Sequence, residues 1–267
     1  MPLAISSLGR RGPAGNIAAA RIAGSIDFQT SAALSLASAA HTDAVYAALD
    51  LGTNNCRMLV ARPIAEGFRV VDAFSRITRL GEGVAATGKL SAAAMDRTVM
   101  ALRACADKMA RNRVTRARLV ATEACRRAAN CDEFARRVRD ETGLELEIIS
   151  AKDEAELALG GCSSLMRPDY PWALVFDIGG GSTELIWVRN SQGGPEVKGV
   201  VSLPLGVVTL AEQVGETVHN PVGYAVTVAQ IATRLAAFEA EHAITRRLLL
   251  GEVQMLGSRL QTLVDRL

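Results

Sequence analysis

Histidine, cysteine and aromatic residues are scarce in this chain of 267 residues, and each scarcity excludes a class of site. The three histidines are scattered, at positions 41, 219 and 242, and no HExxH pattern occurs, so a zinc-hydrolase motif is absent. The five cysteines include no CxxC pair, and their number is odd. The pattern predicts neither a zinc site nor disulfide bonds, and it favours a reducing, cytoplasmic location.

Long apolar runs and a large excess of one charge are also missing. No run approaches the ~20 apolar residues that a membrane-spanning helix needs, so no membrane segment is predicted. The net charge is only +2, and the longest basic cluster, residues 111–118, has no aromatic side chains interleaved for base stacking. The sequence therefore predicts no nucleic-acid surface, and any recognition of phosphate must be local.

The first 43 residues differ from the rest in being rich in Ala, Ser and Gly. Arg10 and Arg11 are followed by Gly-Pro-Ala-Gly-Asn rather than by an apolar core, which is not the pattern of a secretion signal. We therefore predict a disordered N-terminal extension over residues 1–43, with ordered structure beginning near Val45.

From Val45 onward, hydrophobic periodicity predicts an α/β unit with the order β-β-β-α-β-α-β-α. Residues 45–50, 58–62 and 68–76 are predicted strands joined by short turns, which is typical of an antiparallel meander. Ser91 is predicted to cap a helix that ends near residue 111, and Gly143 to end a helix. The other predicted elements are strands at 118–122 and 144–149 and helices at 131–141 and 152–159.

The same opening recurs in the second half of the chain. Strands are predicted at 172–177, 184–188 and 197–203, followed by a helix at about 222–241 and a strand at 252–256. In both halves the first strand ends in an aspartate before a glycine turn, at Asp50 and at Asp177. This structural repeat predicts an α/β fold with two lobes, at 44–168 and 169–267, and a cleft between the two turns.

The two turns carry the residue types of an anion site. The stretch VFDIGGGSTE (175–184) places three glycines after a buried strand, where a Cβ would hold a ligand away from the backbone and where positive φ angles are frequent. Successive N–H groups in such turns form a nest for anionic oxygens, and nearby hydroxyl and amide groups add donors. The predicted phosphate-binding residues are Gly179, Gly180, Gly181, Ser182 and Thr183 in the second lobe, and Gly52, Thr53, Asn54 and Asn55 in the first.

Two aspartates beside a phosphate require a cation between them. Oxygen ligands suit Mg²⁺, which proteins hold through one or two carboxylates together with the phosphates of a substrate. Asp50 and Asp177 are the predicted ligands, and Glu184 is predicted to join the shell or to hold a water molecule. No GxxxxGK[ST] occurs, which excludes a Walker-type phosphate loop.

Hydrolysis also needs a group that orients or deprotonates water. An acid at the start of a helix near the crossing between the lobes is the expected candidate. Asp153, Glu154 and Glu156 all qualify by position, and the residues alone do not decide among them.

Four segments, in order along the chain, resemble signatures of the exopolyphosphatase / guanosine pentaphosphate phosphatase family. They are residues 45–61, 121–130, 146–155 and 174–185. The resemblance extends over about residues 45–257. It implies two actin-like (ribonuclease H-like) lobes with mixed sheets and helices. It also implies an enzyme that uses Mg²⁺ to release the terminal phosphate of inorganic polyphosphate or of guanosine pentaphosphate.

The resemblance also implies roles for single residues. Glu154 matches the glutamate that orients or deprotonates the attacking water, and Arg126 matches an arginine that clamps a phosphate. Asp177 and Glu184 match the acids of the family's glycine-rich motif, and the glycines between them match its phosphate cradle. The turn that begins at Asp50 matches the corresponding motif of the first lobe.

The resemblance weakens at the C-terminus. After residues 254–258 the family continues into a Gly- and Thr-rich turn and further elements, whereas here the sequence runs to Leu267 without that pattern. This predicts an incomplete second lobe whose exposed apolar surface favours aggregation or pairing of two chains, as in a homodimer. Two alternatives stay open: an ATP-using kinase or ATPase of the same superfamily, and an inactive member that only binds phosphate polymers.

Overall fold

Two β-sheets organise the part of the chain that the computed structural model describes, namely residues 20–21, 44–65, 67–167, 169–191 and 194–248. The strands are β1 (Ala20–Arg21), β2 (Tyr46–Leu51), β3 (Asn55–Pro63), β4 (Phe68–Ile77), β5 (Arg116–Ala121), β6 (Glu147–Ile148), β7 (Trp172–Ile178), β8 (Thr183–Ser191) and β9 (Gly194–Leu203). The helices are α1 (Val84–Thr87), α2 (Ala92–Arg111), α3 (Glu123–Arg127), α4 (Cys131–Thr142), α5 (Ala151–Cys162), α6 (Val207–Val214) and α7 (Pro221–His242). The strand predicted at 252–256 lies outside the described residues, and so does the N-terminal extension apart from β1.

The first sheet has the strand order β4-β3-β2-β5-β6 and confirms the predicted meander. Strands β2, β3 and β4 pair antiparallel with one another, whereas β5 pairs with β2 in parallel and β6 pairs with β5 in parallel. Burial alternates along β2, so that Ala47, Leu49 and Leu51 face the core. That core also contains Leu102 of α2 and Phe134 of α4, and burying side chains of this size is the main source of the lobe's stability.

The second sheet has the order β1-β9-β8-β7 and is antiparallel throughout. Its meander β7-β8-β9 repeats the meander of the first sheet, as the sequence predicts. In each copy the aspartate at the end of the first strand pairs with a charged residue on the second: Asp50 lies opposite Arg57, and Asp177 opposite Glu184. The repeat is therefore structural, but the charge beside the aspartate is reversed between the two lobes.

Helix α5 leaves the first sheet and packs against the second. Its buried residues Ala155 and Leu159 share a hydrophobic cluster with Ile186, Val188 and Val200. Since α5 begins directly after β6, the start of this helix lies where the two sheets meet. The lobe boundary predicted at residue 168 is therefore a boundary in sequence, whereas the packing of α5 ties the lobes together before that point.

Local signals at the helix ends agree with the structure. The hydroxyl of Ser91 accepts a hydrogen bond from the N–H of Ala94 at the start of α2. Gly143 ends α4 with φ 70°, and its N–H donates to the carbonyl of Arg139. Across the described ranges, no helix combines the length and the apolar composition needed to cross a bilayer.

The strand predicted at 144–149 is much shorter in the structure. Only Glu147 and Ile148 pair with β5, because Ser150 already caps α5. Leu144 and Leu146 pack on the core of the first lobe from outside the sheet, which explains the alternating pattern without a strand. Three short helices, α1, α3 and α6, were not predicted.

The two tryptophans of the chain stack on each other in the second lobe. The rings of Trp172 and Trp187 are 5.0 Å apart and nearly parallel, with 2° between their planes. Arg247 lies over the Trp172 ring, 4.6 Å from its centroid, in the geometry of a cation–π contact. This stack joins β7 to β8 toward the end of the hairpin that is opposite the glycine turn.

Candidate active site

The two glycine turns have the same local construction. In the first lobe the N–H of Gly52 donates to the carbonyl of Asn55, and in the second the N–H of Gly179 donates to the carbonyl of Ser182, each at 2.9 Å. Each turn connects the first two strands of its meander. The turns are therefore equivalent in structure, as the repeat predicts.

The two turns lie in direct contact across the cleft. A Cβ added to Gly180 would lie 3.0 Å from Cβ of Thr53 and 3.1 Å from the backbone nitrogen of Asn54. A Cβ added to Gly181 would lie 2.6 Å from Oγ1 of Thr53 and 3.0 Å from Cγ of Glu123. The space beside these two glycines is thus occupied by the opposite lobe, and their lack of a side chain lets the lobes close on each other.

The conformation of the turns corrects one expectation. None of Gly52, Gly179, Gly180 and Gly181 has a positive φ, and the positive-φ glycines of the described chain lie in other loops. The expectation of positive φ at these turns is wrong. Glycine is required at positions 180 and 181 by close approach, not by a left-handed backbone.

Backbone N–H groups at the start of helix α6 donate hydrogen bonds to carbonyl groups of the glycine turn. The N–H of Val207 donates to the carbonyl of Gly179 at 3.0 Å, and that of Val208 to the carbonyl of Gly180 at 2.8 Å. In a trans peptide the next N–H points opposite to the carbonyl, so the N–H groups of Gly180 and Gly181 point away from α6. Within the described ranges neither N–H meets a protein acceptor. Two adjacent donors of this kind have the geometry of an anion nest.

Three carboxylates lie within electrostatic reach of one another in the cleft. Desolvation raises the pKa of Asp50, Arg57 opposes the rise, and the charge of Asp177 adds to it. Burial also raises the pKa of Glu154, Arg126 opposes it, and the charges of Asp177 and Asp50 add to it. Both aspartates remain exposed to solvent, so the desolvation of Asp50 reflects the walls of an open cleft. Negative charges that raise the pKa of Asp50 and Glu154 in this way favour the binding of a cation.

Glu184 lies opposite Asp177 on the neighbouring strand and is buried. Its side chain is 1% exposed and accepts a hydrogen bond from Oγ of Ser202 at 2.8 Å. Burial and the charge of Glu154 raise the pKa of Glu184 to about 7, against hydrogen bonds from Ser202 and Ser182 that lower it. With a pKa of about 7, this buried carboxyl is about half protonated at pH 7.

Arg126 connects Glu154 to a second acid, Glu123. Its NH1 group donates to Oε2 of Glu154 at 2.7 Å and to the carbonyl of Ile149 at 3.0 Å. Its Nε and NH2 groups donate to Oε2 of Glu123 at 3.2 and 2.9 Å. Burial lowers the pKa of Arg126, but the ion pairs with Glu154 and Glu123 outweigh it and raise the pKa. The arginine predicted to clamp a phosphate is thus paired with two carboxylates.

The structure separates the three acids at the start of α5. Asp153 forms a capping box with Ser150, whose backbone N–H it accepts at 3.0 Å. Glu156 lies 3.8 Å from Lys152 in an exposed i,i+4 pair. Of the three acids, only Glu154 forms an ion pair with Arg126, and the charges of the two cleft aspartates raise its pKa. The role of Glu154 as the base stays a prediction.

The donors in the cleft fit Mg²⁺ only in part. Asp50 and Asp177 supply oxygen ligands at the ends of the two equivalent strands, which is the chemistry that Mg²⁺ prefers. Among the residues that the structure describes, no three acids, histidines or cysteines are grouped closely enough to hold a metal ion. The fit is therefore that of a two-carboxylate site completed by phosphate oxygens and water.

Sequence reasoning missed Glu123 and Gly206. A Cβ on Gly206 would lie 2.4 Å from the carbonyl carbon of Gly180, so this glycine lets α6 approach the glycine turn. Glu123 opens the short helix α3 three residues before Arg126, and this i,i+3 spacing was a usable signal for their ion pair. Nothing local in the sequence pointed to Gly206.

This geometry defines the class of the protein. Two related α/β lobes have aspartate–glycine turns that face each other across an acidic cleft, with a candidate phosphate site between the lobes. A model of the Ppx/GppA phosphatase family matches residues 59–263, which is more than half of the chain. The chain therefore belongs to the Ppx/GppA phosphatase family.

Solved structures support this assignment. An exopolyphosphatase-like protein is 31% identical over 74% of this chain and 62% of its own, with a TM-score of 0.67. The Ppx/GppA family member of Aquifex aeolicus is 33% identical over 63% of this chain and 54% of its own, with a TM-score of 0.53. An exopolyphosphatase from Cytophaga hutchinsonii is 25% identical, with a TM-score of 0.59. The chain thus spans less than two thirds of the length of these structures.

Protonation of Glu184 is expected to make stability depend on pH. Its pKa of about 7 in the folded protein lies above the ordinary value of 4.5, so its contribution is complete below about pH 4.5 and is lost as pH rises through 7. Wild type is expected to lose about 2.5 kcal/mol of unfolding free energy between pH 5 and 8 through this group, and Glu184→Gln should not show this loss. Urea unfolding at several pH values without divalent cations measures this pH dependence.

Glu133→Gln, at an exposed position on α4, is the control. Parallel pH profiles for wild type and Glu184→Gln would contradict the assignment.

Proposed function

We propose that this protein is a phosphohydrolase that removes the terminal phosphate of inorganic polyphosphate or of guanosine pentaphosphate by attack of water assisted by Mg²⁺. The observation that supports it most is the convergence of Asp50, Asp177 and Glu154 on one cleft between two glycine turns. Membership of the Ppx/GppA phosphatase family, and similarity to structures named exopolyphosphatases, support the same reaction class.

The backbone of the second turn binds the terminal phosphate in this proposal. The N–H groups of Gly180 and Gly181 point away from α6 and supply two adjacent donors. Thr53 and Asn54 face them from the first lobe, so opening and closing of the cleft admits and then encloses the end of the chain. Donors that are fixed before the reaction stabilise the charge that develops on the phosphoryl oxygens.

Glu154 is the group that handles the proton of the attacking water. Its raised pKa makes it a stronger base than an ordinary glutamate. As the oxygen–phosphorus bond to water forms, the carboxylate takes a proton from that water. The bond to the leaving phosphate breaks, and its electron pair stays on the leaving oxygen. Arg126 holds Glu154 in place through the 2.7 Å ion pair.

Asp50 and Asp177 are the residues that would hold Mg²⁺, together with phosphate oxygens and water. When bound, the ion supplies positive charge that offsets the charge of the phosphates and of the two aspartates. Glu184 lies opposite Asp177 on the neighbouring strand and stays a predicted outer partner of this site.

A substrate panel tests the proposal. We expect phosphate release from tripolyphosphate, long-chain polyphosphate or guanosine pentaphosphate in the presence of Mg²⁺, at rates well above those with ATP. Release from ATP alone would favour a kinase-like or ATPase activity. Binding of polyphosphate without release in any condition would favour an inactive binding protein. The cytoplasmic location and the pairing of two chains stay predictions.

A further inference from the structure

The side-on edge of the Arg126 guanidinium is already occupied by Glu123. A guanidinium has five N–H donors, and the protein engages four of those of Arg126. Nε and NH2 both donate to Oε2 of Glu123. These two groups form the edge of the guanidinium that phosphate oxygens commonly bind. The side chains of Arg126 and Glu123 are only 16% and 13% exposed, so little water competes for this contact.

Glu123 also contacts the predicted phosphate-binding turn. A Cβ on Gly181 would lie 3.0 Å from Cγ of Glu123 and 3.4 Å from its Cβ, which places the glutamate stem against the Gly181 backbone. The same side chain therefore reaches the glycine turn with its stem and Arg126 with its carboxylate. Arg126 in turn reaches Glu154. Two side chains, Glu123 and Arg126, thus connect the turn to the predicted base.

The balance of charge makes this contact consequential. Asp50, Asp177, Glu154 and Glu123 surround the cleft, and Arg126 pairs with two of them. A phosphate that enters meets an excess of negative charge unless a cation or the arginine offsets it. While Glu123 accepts hydrogen bonds from Nε and NH2, Arg126 has one N–H donor left for such a phosphate. If the contact with Glu123 breaks, the Nε and NH2 donors become available as well.

We propose that Glu123 is a positioning residue that holds the edge of Arg126 in the unliganded protein and yields that edge to a substrate phosphate. This inference rests on the proposed function, because it concerns the anion that enters the same cleft. Glu123 acts through Arg126 and does not touch the reacting atoms. It sets the affinity for the phosphate chain by competing with it for one cation.

Replacing Glu123 with glutamine tests the competition. Glutamine keeps the size of the side chain but loses the charge, so its hold on Arg126 weakens and a phosphate displaces it more readily. Hydrogen bonds to charged groups are stronger than those to neutral groups, so we expect tripolyphosphate to bind roughly tenfold more tightly. KM should fall by a similar factor while kcat changes less. Titration calorimetry with tripolyphosphate and Mg²⁺, together with steady-state kinetics, measures both.

Two further variants keep the test decisive. Glu123→Asp retains the charge and is expected to bind tripolyphosphate within about threefold of wild type, by the same reasoning on charge. Glu141→Gln is the matched control, because Glu141 also pairs with two arginines, Arg103 and Arg137, away from the cleft. Altered affinity in Glu123→Asp with unchanged affinity in Glu123→Gln would show that the size of the side chain, not its charge, controls binding, and would overturn the inference.

The two failures are distinguishable. If wild type binds no tripolyphosphate with Mg²⁺, the proposed function fails. If wild type binds it and Glu123→Gln binds with unchanged or weaker affinity, the proposed function stands and the role of Glu123 falls. Thermal melting of each variant establishes that the comparison is between folded proteins.

Discussion

Replacing Glu154 with glutamine is expected to lower the rate of phosphate release by about 10²–10⁴-fold, the range that a positioned general base contributes. Glutamine has nearly the same shape but accepts no proton at neutral pH. It also keeps an oxygen that accepts the hydrogen bond of Arg126, which in the native protein is 2.7 Å long. Binding of the phosphate chain should be retained or become tighter, since the substitution removes one negative charge that pairs with Arg126. Phosphate release and tripolyphosphate binding, measured on the same preparation, separate the two effects.

Glu156 provides the control on the same helix. It lies two residues further along α5 and pairs with Lys152, away from Arg126. Glu156→Gln should release phosphate at the wild-type rate. Unchanged turnover in Glu154→Gln would remove Glu154 from the mechanism, whatever its position in the cleft.

A single added methyl group at Gly181 is expected to disrupt both closure and activity. Its Cβ would lie 2.6 Å from Oγ1 of Thr53, which is 5% exposed, and 3.0 Å from Cγ of Glu123, which Arg126 holds. Neither neighbour moves cheaply, so the turns must separate. Overpacking of this kind costs about 1–3 kcal/mol, equivalent to several degrees in Tm. A displacement of catalytic groups by about 1 Å costs about 100-fold in rate.

The matched control for Gly181→Ala is Gly161→Ala in α5. A Cβ at Gly161 would meet no atom within 4 Å, so alanine should leave activity unchanged and raise helix stability by up to about 1 kcal/mol. Adding Thr53→Ala to Gly181→Ala removes the closest contact and should recover part of the lost Tm. An unaltered Tm and rate in Gly181→Ala alone would show that the lobes are not held against each other at this turn.

The elements that sequence reasoning predicted well are those with strong local signals. Alternation along β2 and the aspartates before each glycine turn were enough to predict two meanders and their equivalence. Ser91 and Gly143 marked helix ends because capping is decided by a few neighbouring residues. In these cases the interaction that stabilises the element is made within the element.

The features that sequence reasoning missed depend on contacts between distant parts of the chain. The sequence indicates positive φ at the glycine turn, whereas Gly180 and Gly181 have ordinary φ angles and lie against Thr53 of the other lobe. The pairing of Arg126 with Glu154 joins residues 28 apart in sequence. Alternation at 144–149 predicted a strand because packing on a core and pairing in a sheet leave the same pattern.

The stacked pair formed by Trp172 and Trp187 provides a fluorescence signal that reports on the second lobe alone. Since the chain has only two tryptophans and both lie in the second sheet, intrinsic tryptophan emission arises from one half of the molecule. Emission and far-ultraviolet circular dichroism should therefore give different midpoints if the lobes unfold separately, and the same midpoint if the shared helix α5 makes them unfold together.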